Sequence, residues 1–129
     1  MATTHRPQTP ARPPAVARAH LRHLPMAPRK LRAVADLVRG LTVGDALALL
    51  ANTPRAGSEP LAKLIKSARD NAEVKPHNAE LGLDVDALVI SHLTVDGGKI
   101  LWRWRPRAYG RASRIRKRSC HITVELSLS

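Results

Sequence analysis

The sequence predicts an α+β fold, with three helices followed by a β-rich half, and three observations carry that reading. Apolar residues recur at helical spacing in three stretches between residues 28 and 75. Beyond residue 87 the pattern changes to a β-rich run and then to strict alternation at the chain's end. Between those two segments lies Lys99–Arg118, K-I-L-W-R-W-R-P-R-A-Y-G-R-A-S-R-I-R-K-R, with nine basic residues and no acid.

The opening residues 1–14 carry proline at positions 7, 10, 13 and 14. That density favours a disordered basic arm over the amphipathic helix of a transit peptide. Ala15–Leu24 is short, basic and non-periodic, the pattern of an extended edge segment. Pro28 fits the first turn of a helix whose stripe is Leu31, Val34, Ala35 and Val38, closed by Gly40. Thr42 and Asp45 form a capping box for a second helix, with Val43, Ala46, Leu47 and Leu50 on its buried side. Ser58 is the expected cap of a third, longer helix. Its stripe is Leu61, Leu64, Ile65, Ala68 and Ala72, with i,i+4 pairs Lys66–Asp70 and Arg69–Glu73 on the opposite face. Pro76 ends it, and residues 77–86 read as a loop.

Leu88–Val95 is rich in strand formers, and Ile122, Val124, Leu126 and Leu128 alternate with polar residues. Two topologies connect these segments. The chain either reverses at Asp96-Gly97, or kinks there and reverses near Pro106–Gly110. The second is favoured, because 20 acid-free residues folded onto a body would repel one another without relief. It pairs 99–105 with 111–117 as a basic ribbon. Alternation then puts Trp102 and Trp104 on one face, Arg103 and Arg105 on the other, and makes Arg114, Arg116 and Arg118 co-facial. The ribbon is read as one face that stacks on bases and another that neutralises phosphates.

Charge and rings agree on the partner. There is no Phe in 129 residues, and Trp102, Trp104 and Tyr109 all lie in the basic segment. Residues 1–39 carry eight bases and one acid, residues 40–96 five bases and eight acids. Two basic regions on a near-neutral centre fit a polyanion such as RNA or DNA. Six scattered histidines provide no metal-ligand spacing, and Cys120 cannot form an internal disulfide. Cys120 and His121 would point to opposite faces of a strand. No phosphate loop or nucleophile elbow occurs, so neither an enzyme nor a cofactor is expected. No apolar run approaches membrane length, and one reduced cysteine fits a cytoplasmic setting.

Five blocks then carry a resemblance. They are P-R-K-L-R-A-V-A-D-L-V-R-G (Pro28–Gly40), K-S-A-R-D-N-A-E (Lys66–Glu73), V-D-G-G (Val95–Gly98), R-P-R-A-Y-G-R-A (Arg105–Ala112) and K-R-S-C-H-I-T-V (Lys117–Val124). In this order, over roughly residues 15–126, they resemble the bacterial-type large-subunit ribosomal protein L twenty-two family. The resemblance implies one domain over 15–129, three helices packed on a small antiparallel sheet, and a long protruding β-hairpin at about 97–119. It therefore favours the far turn.

It further implies a structural constituent of the large subunit that supports assembly, in cytoplasmic or organellar ribosomes. The implied partners are 23S-type rRNA, the neighbouring ribosomal protein L four and the nascent peptide, with no membrane and no homo-oligomer. Arg105, Arg107, Ala108, Tyr109, Gly110 and Arg111 would form a tip lining the peptide exit tunnel. The expected rRNA contacts are Arg18, Arg22, Arg29, Lys30 and Arg32, and, in the ribbon, Lys99, Arg103, Arg105, Arg107, Arg111, Arg114, Arg116, Lys117 and Arg118. Trp102 stands where the family usually has a base, and Tyr109 where another base is common. Trp102, Trp104 and Tyr109 are thus candidates for stacking in place of charge. A non-ribosomal RNA-binding or chaperone module is the alternative.

Overall fold

Helix α1 (Pro28–Val38) begins at its proline, where a missing N–H costs little, and buries Leu31, Val34, Ala35 and Val38 as one stripe. Gly40, at φ 84°, supplies the left-handed residue that turns the chain away. This computed structural model describes residues 12–129, so most of the proline-rich arm expected at 1–14 lies outside the described residues.

Helix α2 (Val43–Ala51) carries the expected capping box. The Thr42 hydroxyl accepts from the Asp45 N–H at 3.3 Å and donates to the Asp45 carboxylate at 2.9 Å. Leu47 is only half-buried, packed against the core from its margin. Helix α3 (Ser58–Val74) buries the predicted stripe of Leu61, Leu64, Ile65, Ala68 and Ala72. Its cap is a correction. Gly57 holds the cap position, and Ser58 is already helical. The Ser58 hydroxyl donates backwards to the carbonyls of Arg55 and Thr53, at 2.6 and 3.0 Å, and so ties down the loop before the helix.

The expected i,i+4 pairs on α3 are absent among the described residues. Arg69 turns instead to Asp86 (3.4 Å) and Asp70 (3.5 Å). Residues 77–86 are not a simple loop. A fourth helix, α4 (Pro76–Glu80), and a 3-10 turn at Val85–Ala87 occupy them. The Asn78 side chain anchors α4 by donating to the Ala72 carbonyl at 2.9 Å.

The strands are β1 (Ala17–Leu24), β2 (Val89–Gly97), β3 (Leu101–Pro106), β4 (Ala112–Lys117) and β5 (Cys120–Ser127). One antiparallel sheet has the order β1-β5-β2, and β3 with β4 forms a separate two-stranded hairpin. Central β5 buries Ile122, Val124 and Leu126, as alternation predicted. Leu128 is exposed, because the strand ends at Ser127. The core is wholly aliphatic apart from Cys120.

The outer edge of β2 is covered. The α1–α2 connection bonds to it through Gly40 N–H to Ile90 O and Ile90 N–H to Leu41 O, and Val43, at the start of α2, donates to Leu88 O just before the strand. Further along, Arg39 donates to Leu93 O (2.9 Å), and Arg32 donates to Val95 O through Nη2 (3.0 Å) and Nε (3.2 Å). Carbonyls that would template another strand are thereby occupied.

The chain kinks after Gly97 and reverses at Ala108–Gly110, so the far-turn topology is the one formed. Gly98 permits the hairpin's root to close. Its N–H donates to Ser119 O (2.9 Å), while the Ser119 hydroxyl donates to Lys99 O (2.6 Å). A Cβ at position 98 would meet the Ser119 Oγ at 2.6 Å and the His121 ring at 3.2 Å. Gly98→Ala is therefore expected to cost about 1–3 kcal/mol, as overpacking does in tight sites. Urea unfolding at neutral pH checks this, and an unchanged midpoint would mean that the root opens freely.

Candidate nucleic-acid interface

The hairpin register decides which side chains share a face. Leu101 pairs with Lys117, Trp102 with Arg116, Arg103 with Ile115, Trp104 with Arg114, Arg105 with Ser113 and Pro106 with Ala112. Cross-strand partners project on the same side, so Trp102, Trp104, Arg114 and Arg116 form one face. Arg103, Arg105 and Lys117 share the other. This corrects the expected division into a base-stacking face and a phosphate face, because each side of the ribbon carries cations and the rings stand among them. Every residue of β3 is exposed.

The turn is closed by Arg107 N–H to Arg111 O at 2.7 Å, and the Arg107 Nε reaches the Ser113 hydroxyl at 3.3 Å. Tyr109 takes φ 58° and Gly110 φ 65°. A left-handed tyrosine is strained, yet its ring is 99 % exposed and packs on nothing. Arg105, Arg107, Ala108, Tyr109, Gly110 and Arg111 are all exposed at or beside this turn.

A second basic surface joins residues far apart in sequence. An open cleft at the hairpin's root is lined by Pro25, Met26, Lys30, Arg116, Lys117 and Arg118, among others. Beside it the N-terminal end of α1 has no side-chain cap and no acid in its first turn, so the helix dipole adds to the positive field. Arg29 and Lys30 are exposed there, and Lys99 is exposed at the root. Sequence reasoning named these bases but had no signal for their convergence.

Two expected contacts are partly engaged in the body. Arg18 bonds the Glu125 carboxylate through Nε at 3.1 Å, and Arg12 bonds the same carboxylate. Glu125 is buried on the central strand, and these arginines supply its counter-charge. Arg32 uses two donors on Val95 O, as described above. Arg22 is exposed beside a bulge in β1, where His23 takes φ 57° and its N–H donates to the His121 Nδ1 at 3.1 Å.

Burial pushes the Cys120 thiol pKa up, and its Sγ lies 3.8 Å from Leu24 O. No group of three metal-ligating side chains occurs among the described residues. No helix there is long and apolar enough to cross a membrane. His92, on β2, has its pKa lowered by burial and by the Arg12 and Arg39 guanidiniums, with Asp96 opposing.

The unfolded chain therefore binds that proton more readily than the folded one, and stability rises with pH through the window just below 6.5. The contribution is present above 6.5 and lost as pH falls through the folded value. His92→Gln should reduce the stability lost between neutral pH and about pH 5. Denaturation at the two pH values checks this, with identical losses in both proteins as the contrary result.

The family profile of ribosomal protein L22p/L17e matches residues 19–127, spanning the body and the whole hairpin. The chain belongs to that family. It is 50% identical over 121 residues to the large ribosomal subunit protein uL22 of Anaeromyxobacter sp. (strain Fw109-5), covering 94% of this chain and 81% of the relative. It is equally 50% identical over 108 residues to the large ribosomal subunit protein uL22 of Desulfitobacterium hafniense (strain Y51), covering 84% and 90%. The match gives the acid-free ribbon and its root cleft a family context, and it fits an α+β body of this topology.

Proposed function

We propose that this chain is a structural constituent of the large ribosomal subunit that binds large-subunit rRNA and supports subunit assembly. The observation that carries the reading is the hairpin. Its cations are exposed and lack acidic neighbours, and the cleft at its root adds Lys30. A surface with so many unneutralised guanidiniums needs phosphates, and guanidinium geometry suits them. The family match supports a ribosomal setting for that surface.

On this reading the root cleft and the exposed face of α1 hold the rRNA backbone, and the hairpin runs onward through RNA. The turn from Arg105 to Arg111 lines the nascent-peptide exit tunnel, beside ribosomal protein L four. Tyr109 is presented outward there by its left-handed backbone, consistent with a ring placed for contact at some cost in strain.

Co-sedimentation tests the reading. The tagged chain should remain with the large subunit through a wash in about 1 M salt, because many interlocked contacts must break together. A chain that washes off as a free RNA-binding protein would fit the non-ribosomal alternative. Cross-linking from position 109 to a nascent chain stalled in the tunnel tests the placement of the tip.

A further inference from the structure

We infer that the two tryptophans have different tasks: Trp102 is the hairpin's own packing element, while Trp104 is an open platform for one unpaired nucleobase of the bound RNA. The inference rests on the rRNA-binding reading above and goes beyond it in dividing the rings.

The geometry makes the division. The Arg114 Cζ lies 4.2 Å from the centroid of the Trp102 ring and 5.7 Å from that of Trp104, although Trp104 is its direct cross-strand partner. Arg114 therefore leans along the ribbon towards Trp102. Arg116, the cross-strand partner of Trp102, adds a second guanidinium at 5.8 Å. Trp102 thus has one closely seated cation and a second at the outer limit of cation–π range, and is 45 % exposed, whereas Trp104 has only one, also at that limit, and is 66 % exposed.

Chemistry selects the occupant. An indole face stacks on any base, and single-stranded segments offer bases free of pairing. A guanidinium held against a ring is engaged through its flat face, so its N–H donors remain in the plane for phosphate oxygens. Among the described residues neither the Arg114 nor the Arg116 side chain donates a hydrogen bond or joins an ion pair, so the guanidinium donors are uncommitted. One nucleotide stacked on Trp104 would present its phosphate to cations already oriented by Trp102. An acidic peptide would satisfy the cations but leave the indole without a flat partner.

Two single-tryptophan proteins test this, since the chain has no other tryptophan. Full-length Trp102→Phe retains Trp104, and Trp104→Phe retains Trp102. Each is titrated with purified 23S-type rRNA, following indole emission, with complex formation measured separately by sedimentation. Both rings lie outside the core, so both variants should fold. Emission from Trp104 should fall by more than half at saturation, and emission from Trp102 should change little. Trp104→Ala should weaken binding by roughly ten-fold, within the range for one lost base stack. Sedimentable complexes in which Trp102 is quenched as strongly as Trp104, or in which neither is quenched, would overturn the division while leaving rRNA binding intact. Absence of any complex with the unsubstituted chain would instead overturn the rRNA-binding reading itself.

Discussion

Replacing Arg114, Arg116, Lys117 and Arg118 together by alanine should lower rRNA affinity by about three orders of magnitude at 0.1 M salt, and by very little near 1 M. The expectation follows from counterion release. Each phosphate contact adds about 0.7 to 0.9 to the slope of log affinity against log salt, so four lost contacts flatten it by roughly three. The difference at 0.1 M is that slope carried across one decade. All four side chains are exposed, and none belongs to the core. The melting temperature should therefore stay within a few degrees of the unsubstituted protein. Filter binding across a salt series reads both quantities. An affinity loss independent of salt would point to a misfolded hairpin and away from lost phosphate contacts.

Much of this surface was legible in the sequence, and the part that was not has a physical reason. Alternation within one strand fixes which of its residues are co-facial, so Trp102 with Trp104 and Arg114 with Arg116 follow directly from the sequence. Pairing between strands is set by the turn, and sequence alone does not choose among registers one residue apart. The expected pairing of 99–105 with 111–117 sets Arg114 opposite Trp102, whereas the hairpin sets it opposite Trp104, a register two residues away. Both registers keep Arg114 on the ring face, so the mixing of rings and cations was already implicit in the expected pairing. Long-range contacts hid a second time in Arg32 and Arg39. A side chain that donates to a strand carbonyl 54 or 63 residues away leaves no periodic trace.

The helical body was more legible where burial imposed a stripe. Leu31, Val34, Ala35 and Val38 on α1, and the five stripe residues of α3, repeat at 3.6-residue spacing because each faces the same core. Helix α4 has five residues and one buried side chain, Asn78, so it has no stripe to read. Ser58 misled because Ser is common both at the cap and just inside it. Only the direction of its hydroxyl, towards Thr53 and Arg55, separates the two. Glu125 was equally unreadable as a buried group, since alternation assigns it to the polar side of β5.

The aliphatic character of the body leads to the second large effect, Ile65→Ala. Ile65 is fully buried on α3, the helix that packs against both α2 and β1. Truncation removes three buried carbons and leaves a cavity. The surrounding core holds leucine, isoleucine, valine and alanine with no ring or methionine among its fully buried members. Branched side chains have few alternative rotamers with which to refill space, so the cost should fall at about 3–4 kcal/mol within the general range for such truncations. For a chain of this size that corresponds to a fall in melting temperature on the order of 10 °C or more. Below the transition, affinity for rRNA should be unchanged, because the lesion lies inside the core and the contacts on exposed side chains of the hairpin, its root and α1. Combined with the four-alanine hairpin variant, the two losses should add: the stability loss of Ile65→Ala and the salt-dependent affinity loss of the hairpin variant, each undiminished. Calorimetry and filter binding on the combined variant measure this. A stability loss that grows when the hairpin is also substituted would show that ribbon and body are energetically coupled through the Gly98–Ser119 root.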